Sequence, residues 1–508
     1  MSFNNGLVCF TNCLLPQEDG SLIEKDLWID QGRGVILDAQ TTFFLRKQRP
    51  DTIIDLGGNI LRQVNSSAQI DSDLQRRADE IDKHLFEGDE QAYADGLKRV
   101  AEKIVETGVT SLVPTIVTQE RSLYPTLLRL LRPASHPNAA TLLGWHAEGP
   151  FIEMAKRGAH TPSFLIGAQE GFKTFEHVYG AENLAEDEDW LMGHDVGVRM
   201  ITAAPEVTGV MNAIEILTER GIAFSIGHSI ATSDIATAAV KRGACLITHL
   251  FNAMPQLHHR DPSIIGLLGL SPHLASPFTP IATNNLFGTG PGSPKSLSRS
   301  SSHARTKSKG AKSPTVTAVS EAFDDIETPP QTPMFRKQPV GLTRTDSIPS
   351  LKLGPSQDFE RPFYEMIVDG IHSHPNSVRL AYSAFPEGCI LITDAMKILD
   401  PNLHDGVHEW RDGKRFVKEG EKLYLEGTDT LAGSVVTLDK CVRNFSRFTG
   451  ASIGQALKCA TFNPAKCLGI ENKKGTLRAG ADADLVVLSR EGLVQSTWVK
   501  GQQVWKRA

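Results

Sequence analysis

Cysteine is scarce in this chain: seven among 508 residues, an odd number with no C-x-x-C spacing. Such usage argues against a disulfide framework and fits a reducing compartment, so a cytoplasmic location is expected. Three or four of the seven sit inside apolar runs, where a reduced thiol behaves as a small hydrophobe. Positive charge is not in excess either, with 53 Lys and Arg against 59 Asp and Glu and a net charge of −6. A nucleic-acid binder normally shows a basic face, so none is expected as a partner. No apolar run reaches the ~18 residues that a membrane-spanning helix needs, so no membrane partner is expected. The opening MSFNNGLVCFTNCLLP lacks basic residues before its apolar stretch, and no signal peptide is expected.

What is present is apolar content of 40%, sufficient for a sizeable core, with 43 glycines and 28 prolines marking many tight connections. Residues 1–60 read as short strands punctuated by Gly, Asp and Asn. Ala483 to Leu488 and Leu493 to Trp505 alternate in the same way. The two ends are expected to form one small β domain, a sandwich built from 1–60 and 405–508. Between them strand and helix alternate, as in Glu90 to Glu106, whose Leu97, Val100, Ala101 and Ile104 share one face ahead of Gly108. Repeated βα units imply a parallel sheet. The expected fold is therefore α/β, a TIM-type (β/α)8 barrel over 61–404 with that β domain beside it. Residues 287–357 break the pattern. They are rich in Ser, Gly, Pro and Lys with almost no aromatics, and read as a disordered insertion. Ser293, Ser313, Thr328 and Thr332 each precede proline, which makes phosphorylation of a basic tract the sharper alternative.

The chemistry sits at strand ends. Seven short apolar runs each carry a polar residue at or next to their carboxyl end: Ser111–Thr118, Leu142–Glu148, Val198–Ala203, Ile222–Ser229, Ala244–Leu250, Phe363–Asp369 and Cys389–Asp394. A parallel barrel places its active site at the carboxyl ends of its strands. Those ends carry Glu148, His228, His249, Asp369 and Asp394. One Glu and two His with open positions suit a catalytic zinc or a similar divalent ion. Asp394, at the last strand, suits the acid/base that takes a proton from the activated water and returns it to a leaving amine. Taken singly, each residue also has a bland reading: a structural histidine, or an aspartate capping the next helix.

Together the motifs WHAEGPFI, Gly158-Ala159-His160, SIGHS, THLFNAMPQLHHRDP, VDGIHSHP, LITDA, TLAGS, ATFNPAK and GTLRAGADADLVVL resemble the N-acetylglucosamine-6-phosphate deacetylase family of the amidohydrolase superfamily, in a eukaryotic form. The resemblance runs from about residue 90 to 508 outside the insertion, and the segment ending Asp55-Leu-Gly-Gly-Asn-Ile-Leu61 shares it. It implies deacetylation of N-acetylglucosamine 6-phosphate to glucosamine 6-phosphate and acetate, in amino-sugar catabolism. It implies one divalent metal, most simply zinc, on Glu148, His228 and His249, with Asp394 as the acid/base. His160 and His372 match substrate-contacting histidines, and Asn252 and Ala253 match positions that contact the sugar phosphate. Arg260 matches a phosphate-binding arginine that reaches the neighbouring subunit's site, so a homodimer is implied. Leu431, Ala432 and Gly433 match a loop closing over substrate.

The sequence departs from the family after Leu61. The first barrel strand is expected near 60–75, yet Arg62-Gln-Val-Asn-Ser-Ser-Ala-Gln-Ile-Asp71 replaces the usual apolar run and charged, helix-favouring residues follow. Gln69 and Asp71 fall in register with a Gln and an Asn of the family. The departure leaves a second reading open: a catalytically impaired form that binds a sugar phosphate or a partner. A related amidohydrolase with another substrate is a third.

Overall fold

Alternating side chains put one face of Leu7–Pro16 in a core and leave the other partly exposed, as period-two patterning requires. The strands here are β1 (Leu7–Pro16), β2 (Leu22–Glu24), β3 (Leu27–Asp30), β4 (Val35–Leu37) and β5 (Thr52–Gln63). The structure, a computed structural model, describes residues 5–63, 90–130, 132–185, 196–270, 361–395, 404–409 and 415–508. All of them lie in one compact unit, Met1–Leu274 with Asp358–Ala508. The insertion at 287–357, Gln69 and Asp71 fall outside the described residues.

After β5 the chain resumes with α1 (Glu90–Ile104), closed by Gly108 in the left-handed conformation at φ 85°. There follow β6 (Ser111–Leu112), β7 (Thr115–Val117), α2 (Tyr124–Leu130), β8 (Thr141–Leu142), β9 (Trp145–Glu148), α3 (Phe172–Tyr179) and β10 (Val198–Ala203). Next come α4 (Ile214–Glu219), β11 (Ala223–Ile226), α5 (Ser233–Lys241), β12 (Leu246–Ile247), β13 (Phe363–Ile367), α6 (Pro375–Ala384) and β14 (Cys389–Ile392). A three-stranded antiparallel sheet, β15 (Gly406–Glu409), β16 (Arg415–Glu419) and β17 (Lys422–Leu425), precedes α7 (Leu438–Thr449), α8 (Ile453–Cys459) and α9 (Phe462–Cys467). The chain ends in β18 (Leu485–Leu488), β19 (Val494–Val499) and β20 (Gln502–Lys506).

The seven apolar runs form a wholly parallel sheet in the order β14-β13-β12-β11-β10-β9-β7. The first two runs are each broken in the middle, and their leading halves, β6 and β8, pair separately in parallel. Helices cover the outer face, where Phe224, Tyr364, Leu391 and Phe445 share one large core. The inner face packs Met200, Leu246, Ile367, Ile390 and Ile392 into a second cluster. Side chains filling the interior in this way make a TIM-type barrel a packed core and not a pore.

Both chain ends meet in an eight-stranded sheet ordered β20-β19-β18-β5-β1-β3-β4, with β2 beside β1. Its core includes Val8, Phe10, Ile29, Leu61, Leu485 and Trp498. Two ranges differ from the boundaries expected from sequence. Leu438–Cys467, placed within the β domain, is helical: α7 buries Leu438, Cys441, Val442 and Phe445 against the barrel side, and its Asn444 donates to Val368 O at 3.0 Å. Leu61–Gln63, placed at the start of the barrel, instead continues β5, paired with β18.

The physical reason for the second difference is local. Arg62 is only 2% exposed and donates to Thr461 Oγ1 (3.0 Å), Pro16 O (2.8 Å) and Gly475 O (3.1 Å). Gln63 donates to Lys473 O and Asp482 O and accepts from Thr476 N. Two residues that read as a damaged strand are the fastening between β5 and the loops around it. Replacing Arg62 by Ala leaves a cavity and three acceptors without their donor. We expect a loss of about 3 kcal/mol in stability, read as a lowered urea midpoint or melting temperature.

Candidate active site

Four of the five polar strand ends follow one rule. His228, His249, Asp369 and Asp394 each stand two residues beyond the last residue of β11, β12, β13 and β14, and Glu148 is the last residue of β9. His228, His249 and Asp394 adopt left-handed backbone at φ 48°, 28° and 47°. This conformation is unfavourable for residues with a side chain and clusters at functional sites. Here it turns the chain sharply out of each strand at the barrel mouth.

The three ligand candidates converge. Glu148 Oε1 lies 2.9 Å from His228 Nε2 and 3.2 Å from His249 Nε2, and the two imidazole nitrogens are 3.1 Å apart. All three residues are buried. His228 Nδ1 is 2.7 Å from Lys156 O, which can only accept, so Nδ1 carries a proton and Nε2 faces the cluster, where it would offer its lone pair to a bound cation. Zinc bonds of about 2.0–2.2 Å in a tetrahedron place neighbouring ligands roughly 3.3 Å apart. The donor set and its spacing therefore fit a divalent cation.

Electrostatics agree. Burial alone would raise the pKa of Glu148, but hydrogen bonds from His228 and His249 outweigh it and hold the carboxyl well below its usual range. His249 is pushed the other way: burial lowers its pKa, and the bond and charge of Glu148 overcome that and raise it to about 9. Without metal the cluster thus keeps a proton on His249 at neutral pH. A cation takes only the deprotonated ring. Metal binding at pH 7.5 should release about one proton, and affinity should climb with pH until it levels near 9. Calorimetry in buffers of different ionisation enthalpy reads that proton directly.

Beneath the cluster lies a buried polar floor. His146 is held neutral by burial, its pKa lowered to about 4, between Thr115 Oγ1 (2.9 Å) and Thr202 Oγ1 (2.7 Å). Thr202, Thr248 and Ser225 continue the hydroxyl chain at 2.6 and 2.5 Å. Such a network fixes the strands that carry the ligands.

Above the cluster opens a cavity of about 410 Å³. Its lining brings together Glu148, His160, His228, His249, Asn252, Ala253, His372, Asp394, Leu431, Ala432 and Gly433. Burial raises the pKa of Asp394 above the usual carboxylate range, and His249 opposes that shift. Its backbone oxygen accepts from Ser434 N at 2.8 Å, and Ala432 N donates to Leu423 O at 3.0 Å, so the Leu431–Gly433 loop is pinned between the end of β14 and β17. Thr118 N donates to His160 Nδ1 at 3.3 Å, which leaves the proton of the neutral ring on Nε2. Arg260 is the one expected site residue among those described that does not line the cavity. It is exposed, and its neighbour Asp261 accepts from Ser233 and Ser263.

Some contributors were not singled out from sequence. Thr118 orients His160 from 42 positions away, and nothing local announces it. Asp369 was noted only as a strand end. Its carboxylate accepts from His372 Nδ1 at 2.6 Å and from the Ile371 and His372 amides, and these bonds with the His372 charge keep its pKa low despite burial. The three-residue spacing in VDGIH was the available signal.

A parallel barrel with a carboxylate and two imidazoles converging at its strand ends is the architecture of a metal-dependent amidohydrolase, and a model of the Amidohydrolase family matches residues 350–504. The chain is 33% identical over 509 aligned positions to N-acetylglucosamine-6-phosphate deacetylase of Bos taurus, covering 98% of this chain and 96% of that one. The Danio rerio protein of the same name is 33% identical over 505 positions, with 98% and 96% covered. The chain therefore belongs to the N-acetylglucosamine-6-phosphate deacetylase family. The fold matches the crystal structure of the Thermotoga maritima N-acetylglucosamine-6-phosphate deacetylase with a TM-score of 0.64 at 20% identity, over 98% of this chain and all of that one.

Proposed function

We infer that this chain hydrolyses the acetamide of N-acetylglucosamine 6-phosphate, giving glucosamine 6-phosphate and acetate. The observation that carries the reading is near-full-length similarity to proteins named for that activity, in a chain whose cavity gathers Glu148, His228, His249 and Asp394. The alternative, an impaired sugar-phosphate binder, is not favoured by those relatives.

Glu148, His228 and His249 would hold one divalent ion, and their donor set suits zinc. Bound there, the ion supplies an acidified water and a Lewis acid for the amide carbonyl. Asp394 accepts the proton as water oxygen adds to the carbonyl carbon, and delivers it to nitrogen as the C–N bond breaks. His160 Nε2–H, and His372 held through Nδ1 by Asp369, are placed to donate to the sugar or to the carbonyl oxygen as charge develops. Asn252, Ala253 and the Leu431–Gly433 loop enclose the sugar phosphate.

Arg260 would serve the cavity of a second copy, which supports a homodimer: it is exposed and lies outside its own cavity. A reducing, cytoplasmic setting is supported by seven unpaired cysteines, most of them buried. No helix among the described residues is long and apolar enough to cross a membrane.

The test is acetate release from N-acetylglucosamine 6-phosphate by the purified chain, with metal measured on the same sample. Turnover with about one metal per chain is expected. Bound metal without turnover would overturn the substrate, and neither metal nor turnover would overturn the enzyme reading.

A further inference from the structure

The charge lining the cavity is unbalanced for the substrate proposed. Glu148, Asp394 and Asp429 supply three carboxylates, a divalent ion on the ligand cluster would offset two of them, and a phosphate monoester brings nearly two further negative charges. Arg260 does not line the cavity of its own chain. Among the described lining residues a single ammonium and no guanidinium is present, that of Lys156.

Lys156 is well placed to use it. Its Nζ donates to Met254 O at 2.9 Å, and Met254 directly follows Asn252 and Ala253, which also line the cavity. An ammonium has three donors, so this contact holds the side chain beside the Asn252–Ala253 segment with N–H groups still available for an anion. The main chain of the same residue is fastened at the metal end: Lys156 O accepts from His228 Nδ1 at 2.7 Å, and Lys156 N donates to Glu153 O at 2.9 Å. One residue thus ties a metal ligand to the wall where the sugar phosphate would lie, which fixes the separation between the two ends of a bound substrate.

We propose that Lys156 is a phosphate-recognising residue of this site, the cation that each chain supplies to its own cavity. The proposal rests on the deacetylase reading and assigns a specificity role within it. A point charge that reaches phosphate by flexible approach is the usual part of lysine in phosphate sites.

The test compares the metal-loaded wild-type protein with Lys156→Gln and Lys156→Arg on N-acetylglucosamine 6-phosphate and on N-acetylglucosamine. Gln keeps a donor for Met254 O and loses the charge, while Arg keeps both. The ratio of kcat/KM for the phosphorylated over the plain sugar should fall roughly 30-fold in Lys156→Gln, mostly through KM, as expected for one charge-assisted bond. Lys156→Arg should restore most of that ratio, which also guards against a misfolded Gln variant. An unchanged ratio overturns the proposal. So does an equal loss on both sugars, which would mean that Lys156 acts only through His228. If the wild-type protein turns over neither sugar, the deacetylase reading fails and calorimetric binding of inorganic phosphate decides. Weaker binding in Lys156→Gln upholds the anion contact; equal binding, or none to the wild type, overturns it.

Discussion

Asp394→Asn should lower kcat by at least about 10³-fold while metal stays near one per chain and KM moves only a few-fold. One proton transfer by a positioned side chain is worth about 10²–10⁴-fold, and Asp394 is assigned two, from water and then to nitrogen. Asn has the same shape but cannot accept the proton. The fold around it should persist, because the nearby loop is pinned by the backbone oxygen of Asp394 and not by its carboxylate. Metal should persist too, since the three converging ligand atoms belong to Glu148, His228 and His249. A variant that loses its metal would show that Asp394 is a ligand and not the proton carrier. The pH profile is a second readout. Burial raises the Asp394 pKa in the metal-free site, and a cation on the neighbouring ligands would oppose that shift. The limb of kcat/KM that reports the Asp394 carboxyl should vanish in the variant.

Much of this site was legible before any coordinates. Seven apolar runs with polar ends are what strands buried on both faces look like, and carboxyl ends are where a barrel exposes side chains. Glu148, His228, His249 and Asp394 stand out as candidates by that rule, and the structure gathers them around one cavity. Other features are present in the sequence but ambiguous there. Leu438, Cys441, Val442 and Phe445 recur at helical spacing, yet the stretch adjoins the β-rich end of the chain. Arg62 and Gln63 read, from sequence, as damage to a barrel strand. A buried arginine is interpretable only when its acceptors are known, and those on Pro16, Thr461 and Gly475 lie 46, 399 and 413 positions away. Thr118 and Lys156 carry no local signal for the same reason. Each acts on a histidine, His160 or His228, that sequence distance hides and barrel closure brings near.

Glu148→Gln should all but abolish metal retention and, with it, turnover at stoichiometric metal. Glu148 is the one anion in the proposed ligand set, and its replacement removes the charge that balances a buried cation. The effect has three linked signs. A ligand that binds only the folded state stabilises by about 2.7 kcal/mol at a hundredfold excess over its Kd, so wild-type melting should rise on adding zinc and the variant's should not. Without the carboxylate, only the charges of Asp394 and Glu365 oppose burial at His249, and its pKa should drop from about 9. Any residual metal uptake by the variant should then release less of a proton at pH 7.5 than wild type does. The metal-free proteins should differ as well. The depressed Glu148 pKa gives wild type a stabilisation present above the ordinary carboxyl pKa and lost as pH falls through the lowered one, while the raised His249 pKa reports the same contact, present at neutral pH and lost as pH rises through about 9. Metal-free Glu148→Gln should therefore be less stable than wild type near pH 7, with a flatter pH dependence on both sides. If the variant keeps tight zinc, Glu148 is not a principal ligand, and the anion that holds the metal comes from elsewhere in the chain.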